Sequence, residues 1–135
     1  MSLIARCVWF GAAAGLWLTS ASAVWAASPA DILARYQAES GVPAQAARGQ
    51  AFFTARHGGE WSCASCHGTT PTAAGKHAST GKPIAPLAPA FNPERLSSEA
   101  KVEKWFRRNC RDVLSRECSP AEKADVVVWL ITLKP

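Results

Sequence analysis

The stretch C-A-S-C-H at residues 63–67 constrains this chain more than any other part of its sequence. Two cysteines at this spacing, followed at once by a histidine, are typical of a zinc site, a redox dithiol or a site of covalent haem attachment. Structural zinc takes four protein ligands, and this segment offers three. Cys110 or Cys118 could complete the set, but one thiol would then be left over. A redox dithiol is expected near a strand followed by a helix, which the flanking residues do not indicate.

Covalent haem attachment uses every reactive group of the motif. Cys63 and Cys66 would form thioethers with the two vinyl groups, and His67 would bind the iron. The spacing suits this chemistry because both sulfurs must reach one edge of the porphyrin while the histidine lies beneath its centre. We therefore predict one covalently bound haem c as the cofactor, with His67 as the proximal iron ligand.

Residues 1–26 are interpreted as a secretory signal peptide and are excluded from the fold. The apolar run Val8–Leu18 follows Arg6, and Val24–Ala26 is an acceptable cleavage site. A membrane anchor is the alternative, but it needs roughly 20 apolar residues, and this run is shorter. Residues 27–135 then form one small domain, which we expect to be soluble and located in the periplasm.

Apolar residues recur with a helical period through most of this domain, and no stretch alternates as a strand does. The sequence therefore predicts an all-α fold of about four helices wrapped around one haem. A Pro-rich stretch at residues 71–95 is expected to be an ordered wrap rather than a flexible linker. The predicted helices are 29–40 after an N-cap at Ser28, 43–56 with Ala47, Phe52 and Phe53 buried, a third from Ser97 or Ser98 to about Cys110, and 120–133 after an N-cap at Ser119.

The third predicted helix places an amide where an apolar side chain is expected. Val102, Trp105 and Phe106 are spaced as one stripe that faces a core. The next position of that stripe is Asn109. Its amide either bonds a backbone carbonyl near the end of the helix or binds something inside the core, and the pattern alone leaves both open.

The chain resembles the class I c-type cytochromes in more than the attachment motif. The pattern A-x-x-G-x-x-x-F at Ala46–Phe53 matches their N-terminal helix, and Trp129 matches an aromatic residue of their C-terminal helix. The resemblance implies that these helices cross at the small residue. It also implies a methionine as the sixth iron ligand. The only methionine is Met1, which would leave with the signal peptide.

Another residue must therefore fill the sixth position. The nitrogen-bearing candidates are His57, His77 and Asn109, with lysines also possible. His57 precedes Cys63 by six residues and is expected to shield the haem edge on the attachment side. His77 lies in the Pro-rich wrap and could be a second histidine ligand or a solvated loop residue.

Three longer stretches resemble a narrower family, the oxygen-binding cytochromes c called SHP, the sphaeroides haem protein. They are G-K-P-I-A-P-L-A-P, V-E-K-W-F-R-R-N-C and C-S-P-A-E-K-A-D-V-V-V-W-L, within Gly81–Leu130. The resemblance implies that Asn109 is a labile distal iron ligand and that Cys110 and Cys118 form a disulfide. It further implies that the reduced haem binds diatomic gases, oxygen and nitric oxide. Electrons would come from another cytochrome, for which a dihaem cytochrome c or a membrane cytochrome b is a candidate.

Two other functions remain open on the sequence. A plain electron carrier would use His67 and His77 as ligands and bind no gas. A dedicated enzyme is less favoured, because no acid–base pair is evident beyond Asn109 and Arg108. Between residues 95 and 116 there are seven basic residues against three acidic ones. This surplus indicates either an acidic protein partner or a solvated helix face, and we expect no nucleic-acid partner.

Overall fold

The computed structural model describes residues 27–135, so the predicted signal peptide lies outside the described part of the chain. Within this range the elements are α1 (Pro29–Ser40), α2 (Ala46–Thr54), α3 (Cys63–His67), β1 (Gly75–Lys76), β2 (Pro83–Ile84), α4 (Glu99–Leu114) and α5 (Pro120–Thr132). The two strands form one short antiparallel ladder that pairs Gly75 with Ile84. The predicted all-α class is confirmed, with the ladder as a small addition.

Serines set the starting points of the three longest helices. Ser28, Ser98 and Ser119 each accept a hydrogen bond from a backbone N–H in the first turn of the helix that follows. This satisfies a donor that has no partner inside the helix. The caps are local in sequence, which explains why the helix starts at Ser28 and Ser119 could be predicted.

The crossing of α2 and α5 determines how the two ends of the domain pack. Gly49 is buried at this crossing, and a Cβ at this position would collide with the backbone carbonyl of Asp125. The side chain of Asp125 is buried as well, and it accepts hydrogen bonds from the backbone N–H of Gln45 and from Arg48. A residue without a side chain is therefore required where the two helix backbones approach each other.

Two apolar clusters form the core on either side of α5. The first joins α1, α4 and α5, and the second joins α2, α3 and α5. The fully or nearly buried members are Ile32, Tyr36, Leu96, Val102, Ala124 and Val127 in the first cluster, and Phe53, Val126, Trp129 and Leu130 in the second. Phe106 of α4 packs against both, so α4 is fixed to the two halves of the core.

Several predicted boundaries and burials are wrong. The second helix begins at Ala46 rather than Pro43, because Gln45 is extended and uses its N–H to bind Asp125. Ala47 is exposed, since α2 turns Gly49 and Phe53 inward. The third predicted helix continues to Leu114, four residues beyond its expected end.

Trp105 is the largest departure from the predicted core. It is 45% exposed, whereas Val102 on the same helix is buried. Helix α4 contacts the core mainly through Val102, Phe106 and Cys110. In this orientation of the helix about its axis, Trp105 lies on a flank. Within residues 27–135, none of the helices combines the length and the apolar character needed to cross a membrane.

Candidate functional site

The C-A-S-C-H segment folds as the short helix α3, which brings its three reactive side chains to one side. Positions 63, 66 and 67 are separated by three and four residues, so they share a face of the helix. Ser62 begins α3 by accepting a hydrogen bond from the N–H of Ser65, and the chain leaves at Gly68 with φ of 77°. Cys63 and Cys66 are both outside any disulfide. Two thiols and one imidazole are therefore presented together.

His67 is held against the second core cluster. Its ring lies 6.1 Å from that of Phe53, which in turn lies 5.0 Å from Trp129. Burial, and secondarily the nearby Arg95 and His77, lower the pKa of His67 to about 4. Burial also raises the pKa of the Cys63 thiol to about 11. At neutral pH the imidazole is thus uncharged, which is the form that binds a metal.

The β1–β2 hairpin supports α3 from the side of Cys66. Gly75 lies so close that a Cβ there would collide with the carbonyl of Cys66 and meet the Cα of His67. The backbone N–H of Ala78 donates to Cys66 Sγ at 3.2 Å. Gly75 was not predicted as a site residue, because its neighbours in sequence give no indication that it contacts Cys66 and His67.

His77 lies within this hairpin with one ring nitrogen already engaged. The backbone N–H of Thr80 donates to His77 Nδ1 at 3.3 Å, and Ser79 Oγ lies 3.2 Å from the same nitrogen. A neutral imidazole that accepts at Nδ1 carries its proton on Nε2. In this arrangement Nε2 has no lone pair for iron, and His77 belongs to the element that packs beside Cys66.

His57 lies in the turn after α2, where its ring contacts Phe52. Its Nε2 lies 2.7 Å from the carbonyl oxygen of Phe52, and its ring packs 4.5 Å from the Phe52 ring. The residue is exposed and has φ of 44°. It closes the turn after α2, and shielding of a haem edge remains a prediction.

Arg95 is a residue of the site that the sequence reading did not single out. Its guanidinium donates to the carbonyl oxygens of Pro86 and Ala85, both at 2.9 Å. These bonds connect two parts of the Pro-rich wrap across nine and ten residues. The wrap and α3 are close, since Leu87 and Ala64 pack against the same core cluster. The positive charge of Arg95 also contributes to the low pKa of His67.

Helix α4 presents Asn109 on a half-buried flank. Asn109 follows Trp105 by four residues, so the two side chains share that flank. Phe106, on the adjacent side, packs against the same cluster as Cys63 and Ala64. Both α3 and α4 therefore contact one core cluster, with the reactive residues of each only partly covered by protein.

A disulfide fixes the chain immediately after Asn109. Cys110 and Cys118 are bonded, with their Cα atoms 5.6 Å apart, and both are buried. Helix α4 ends at Leu114, and the capping residue Ser115 has a left-handed backbone with φ of 59°. The bridge thus ties the last turn of α4 to the start of α5.

The donor set fits covalent haem better than zinc. Within residues 27–135, no group of three or more His, Cys, Asp and Glu side chains converges as a site for a metal ion. Cys110 and Cys118 are bonded to each other and cannot supply a fourth zinc ligand. What remains on α3 is two unbonded thiols beside a neutral imidazole, the groups that a c-type haem requires.

Comparison with known families gives a consistent assignment. A family model described as a domain of unknown function (DUF1924) matches residues 39–130. The cytochrome c-type protein SHP of Cereibacter sphaeroides is 50% identical over 103 residues, which are 73% of this chain and 79% of that protein. A structure of oxidized SHP, described as an oxygen-binding cytochrome c, aligns with a TM-score of 0.76 at 46% identity, over 80% of this chain and 99% of that one.

A second relative is cytochrome c'' of Methylophilus methylotrophus. It is 45% identical over 80 residues, which are 59% of this chain and 56% of that protein. Its solution structure, described as giving insights into the structural basis of haem-ligand detachment, aligns with a TM-score of 0.68 at 36% identity. That alignment covers 79% of this chain and 94% of the other.

Proposed function

Because this chain belongs to the SHP family of c-type cytochromes, we propose that it is an exported monohaem cytochrome that binds diatomic gases when reduced. It would act in the periplasm and receive electrons from another cytochrome. One observation carries the proposal beyond family membership. Asn109 lies on a half-buried flank of α4, next to a disulfide, in a domain that contains no methionine.

The attachment chemistry belongs to α3. Each thiol of Cys63 and Cys66 would add across one vinyl group of the haem, with sulfur bonding one vinyl carbon and hydrogen the other, so no oxidant would be needed. His67 would be the proximal ligand, held by its packing against Phe53. Gly75 and the hairpin keep α3 in place, which limits how far the imidazole can tilt.

The distal chemistry belongs to Asn109. The haem supplies an iron that can bind a diatomic gas once it is reduced. An amide oxygen is a hard, weak donor that suits ferric iron better than ferrous iron. Asn109 would therefore hold the sixth position in the oxidised protein and release it on reduction. Its freed amide N–H₂ can then donate a hydrogen bond on the distal side, while the Cys110–Cys118 bridge keeps it nearby.

The contacts of His77 favour Asn109 over bis-histidine ligation. The backbone N–H of Thr80 donates to His77 Nδ1. The hairpin that carries His77 packs against Cys66, which lies on the same helix as His67. Ligation by His77 through Nε2 would require the ring to give up the hydrogen bond that Nδ1 accepts from the Thr80 N–H, because the imidazole proton would then lie on Nδ1. A labile ligand also has a parallel in cytochrome c'', whose solution structure is described in terms of haem-ligand detachment.

Optical spectra test this proposal directly. The ferrous protein should be high-spin and five-coordinate, and carbon monoxide should bind at once and shift the spectrum. Oxygen should bind reversibly under the same conditions. A ferrous spectrum that is low-spin, six-coordinate and unchanged by carbon monoxide would instead identify a bis-histidine electron carrier.

A further inference from the structure

The side of α4 that points away from the core carries a continuous cationic surface. Its five members are exposed and recur mostly at intervals of three and four residues, which places them on one side of the helix. They are Lys101, Lys104, Arg107, Arg108 and Arg111. We refer to this surface as the basic face of α4. It borders the flank with Asn109 and lies opposite the side that contacts the core.

Repulsion among the charges of the basic face lowers the stability of the helix. Like charges three or four residues apart repel, and each such pair destabilises a helix slightly. Arg111 is compensated by Glu117 at 2.6 Å, and Arg108 lies 4.0 Å from Asp112. Within the described part of the chain, Lys101, Lys104 and Arg107 have no carboxylate at ion-pair distance. Three of the five charges are thus left for an external partner.

Two of the three acidic residues of α4 pair with residues of other helices. Glu103 accepts a hydrogen bond from the Tyr36 hydroxyl at 2.8 Å and pairs with the buried Lys123. Glu99 lies 3.8 Å from Arg35 of α1. Two of the three carboxylates of α4 therefore contact α1 and α5, whereas the third, Asp112, lies near Arg108 on the exposed side of the helix.

We propose that the basic face is the docking surface for the acidic side of an electron-donor protein. This inference rests on the proposed function, because a haem that binds gas only when ferrous must first gain one electron. That electron leaves the donor and reduces the ferric iron to ferrous, with no proton or further reagent involved. Complementary charge would steer the donor and raise its association rate.

Two properties favour a protein over a lipid surface. A helix that lies on a membrane needs an apolar side free to enter the lipid. In α4 that side is occupied, since Val102 is buried and Phe106 packs 5.8 Å from the Tyr36 ring. Arginine, which supplies three of the five charges, is also enriched at protein interfaces.

The test uses the holoprotein and a reduced plant-type ferredoxin, a small acidic one-electron donor, as the probe. Stopped-flow spectroscopy measures the rate of ferric haem reduction at rising ionic strength. The test variant is Lys104→Gln/Arg107→Gln. The matched control is Arg56→Gln/Lys134→Gln, which removes the same charge from exposed positions outside α4.

The wild-type rate should fall steeply with salt. At low salt the test variant should react roughly three- to tenfold more slowly, with a weaker salt dependence, and the control by less than about twofold. Equal rates in the two variants would overturn the proposal, since net charge alone would then explain the effect. The proposal would also be overturned if the test variant were reduced by ferredoxin at the wild-type rate but no longer bound phosphatidylserine vesicles or duplex DNA. The basic face would then serve one of those partners.

Carbon monoxide and oxygen spectra of the chemically reduced samples are recorded alongside. Failure of the wild type to bind either gas would contradict the proposed function, whereas the ferredoxin rates decide the docking surface independently.

Discussion

Asn109 occupies a position that an apolar residue could fill at lower cost if packing were its only role. A half-buried amide loses part of its hydration, and a bonding partner offsets that cost. Within residues 27–135 its side chain makes no hydrogen bond to another residue, whereas the guanidinium of Arg95 in the Pro-rich wrap is bonded to two carbonyls. An iron ligand would give the amide such a partner, which is why the main residue-scale prediction concerns this side chain.

Asn109→Ala should leave the fold intact and change the haem spectrum. The fold persists because Val102, Phe106 and the disulfide hold α4. The ferric spectrum should become that of a site with water or no ligand in the sixth position. Oxygen should dissociate faster, by up to about tenfold, if a hydrogen bond of about 0.5–1.5 kcal/mol is lost from the bound state alone. Flash photolysis or stopped-flow mixing measures this rate.

His77→Ala serves as the control for that experiment. It removes the other nitrogen-bearing candidate from a hairpin that is held mainly by backbone hydrogen bonds. Both spectra and the oxygen dissociation rate should stay as in the wild type. A change confined to His77→Ala would return Asn109 to a structural role near the end of α4.

At the scale of the elements, the function depends on how α4 divides its surface. One side packs against the core through Val102 and Phe106, the flank carries Asn109 and Trp105, and the outer side is the basic face. Each side keeps its orientation because both ends of the helix are fixed. Ser98 caps the first turn, and the disulfide ties the last turn to α5.

Gly49→Ala tests the helix crossing on which the second cluster depends. The added methyl group would collide with the Asp125 carbonyl. This carbonyl belongs to the backbone of α5, so it cannot move aside by a change of rotamer as a side chain can. Overpacking of this kind costs about 1–3 kcal/mol, and the better helix propensity of alanine recovers no more than about 1 kcal/mol. Thermal unfolding of the holoprotein should show a lower Tm.

Gln50→Ala is the matched control, because Gln50 is the exposed neighbour on the same helix. Its effect on the free energy of unfolding should stay within about 0.5 kcal/mol. If the two variants had equal Tm values, the α2–α5 contact at Gly49 would be looser than the structure indicates.

On the scale of the whole molecule, covalent links supplement a small core. A domain of this size buries a limited apolar area, so bonds that restrict the unfolded chain contribute strongly. The loop closed by Cys110 and Cys118 is short, and chain-entropy estimates give about 2.5 kcal/mol for it. The haem would be a second tie, joining α3 to α4 through His67 and Asn109.

All four cysteines of residues 27–135 should be consumed in the mature holoprotein. Cys63 and Cys66 would be thioethers, and Cys110 and Cys118 would be bridged. Thiol labelling of the denatured, unreduced protein should therefore find no free cysteine, and reduction should expose two. Intact mass should show one haem on a chain that begins at Ala27. Labelling of Cys63 and Cys66 before reduction would refute covalent attachment.

The features that sequence alone determined are those governed by neighbours along the chain. The C-x-x-C-H spacing places its thiols and imidazole on one side of a helix turn wherever that helix lies. Ser28 and Ser119 each bond a backbone N–H three residues away. The family resemblance rests on equally local strings and is confirmed by 50% identity to SHP.

Tertiary structure decided which sides of these helices meet. Gly49 against Asp125 and Gly75 against Cys66 depend on contacts between distant segments, and Gln45 donates to a carboxylate 80 residues later. The same packing sets the orientation of α4 about its axis, in which Trp105 lies outside the core. A period of 3.6 residues predicts that an apolar stripe exists but does not determine its exact angle to the core. That angle depends on the volumes of Tyr36, Phe106 and the residues around them, which only the assembled core defines.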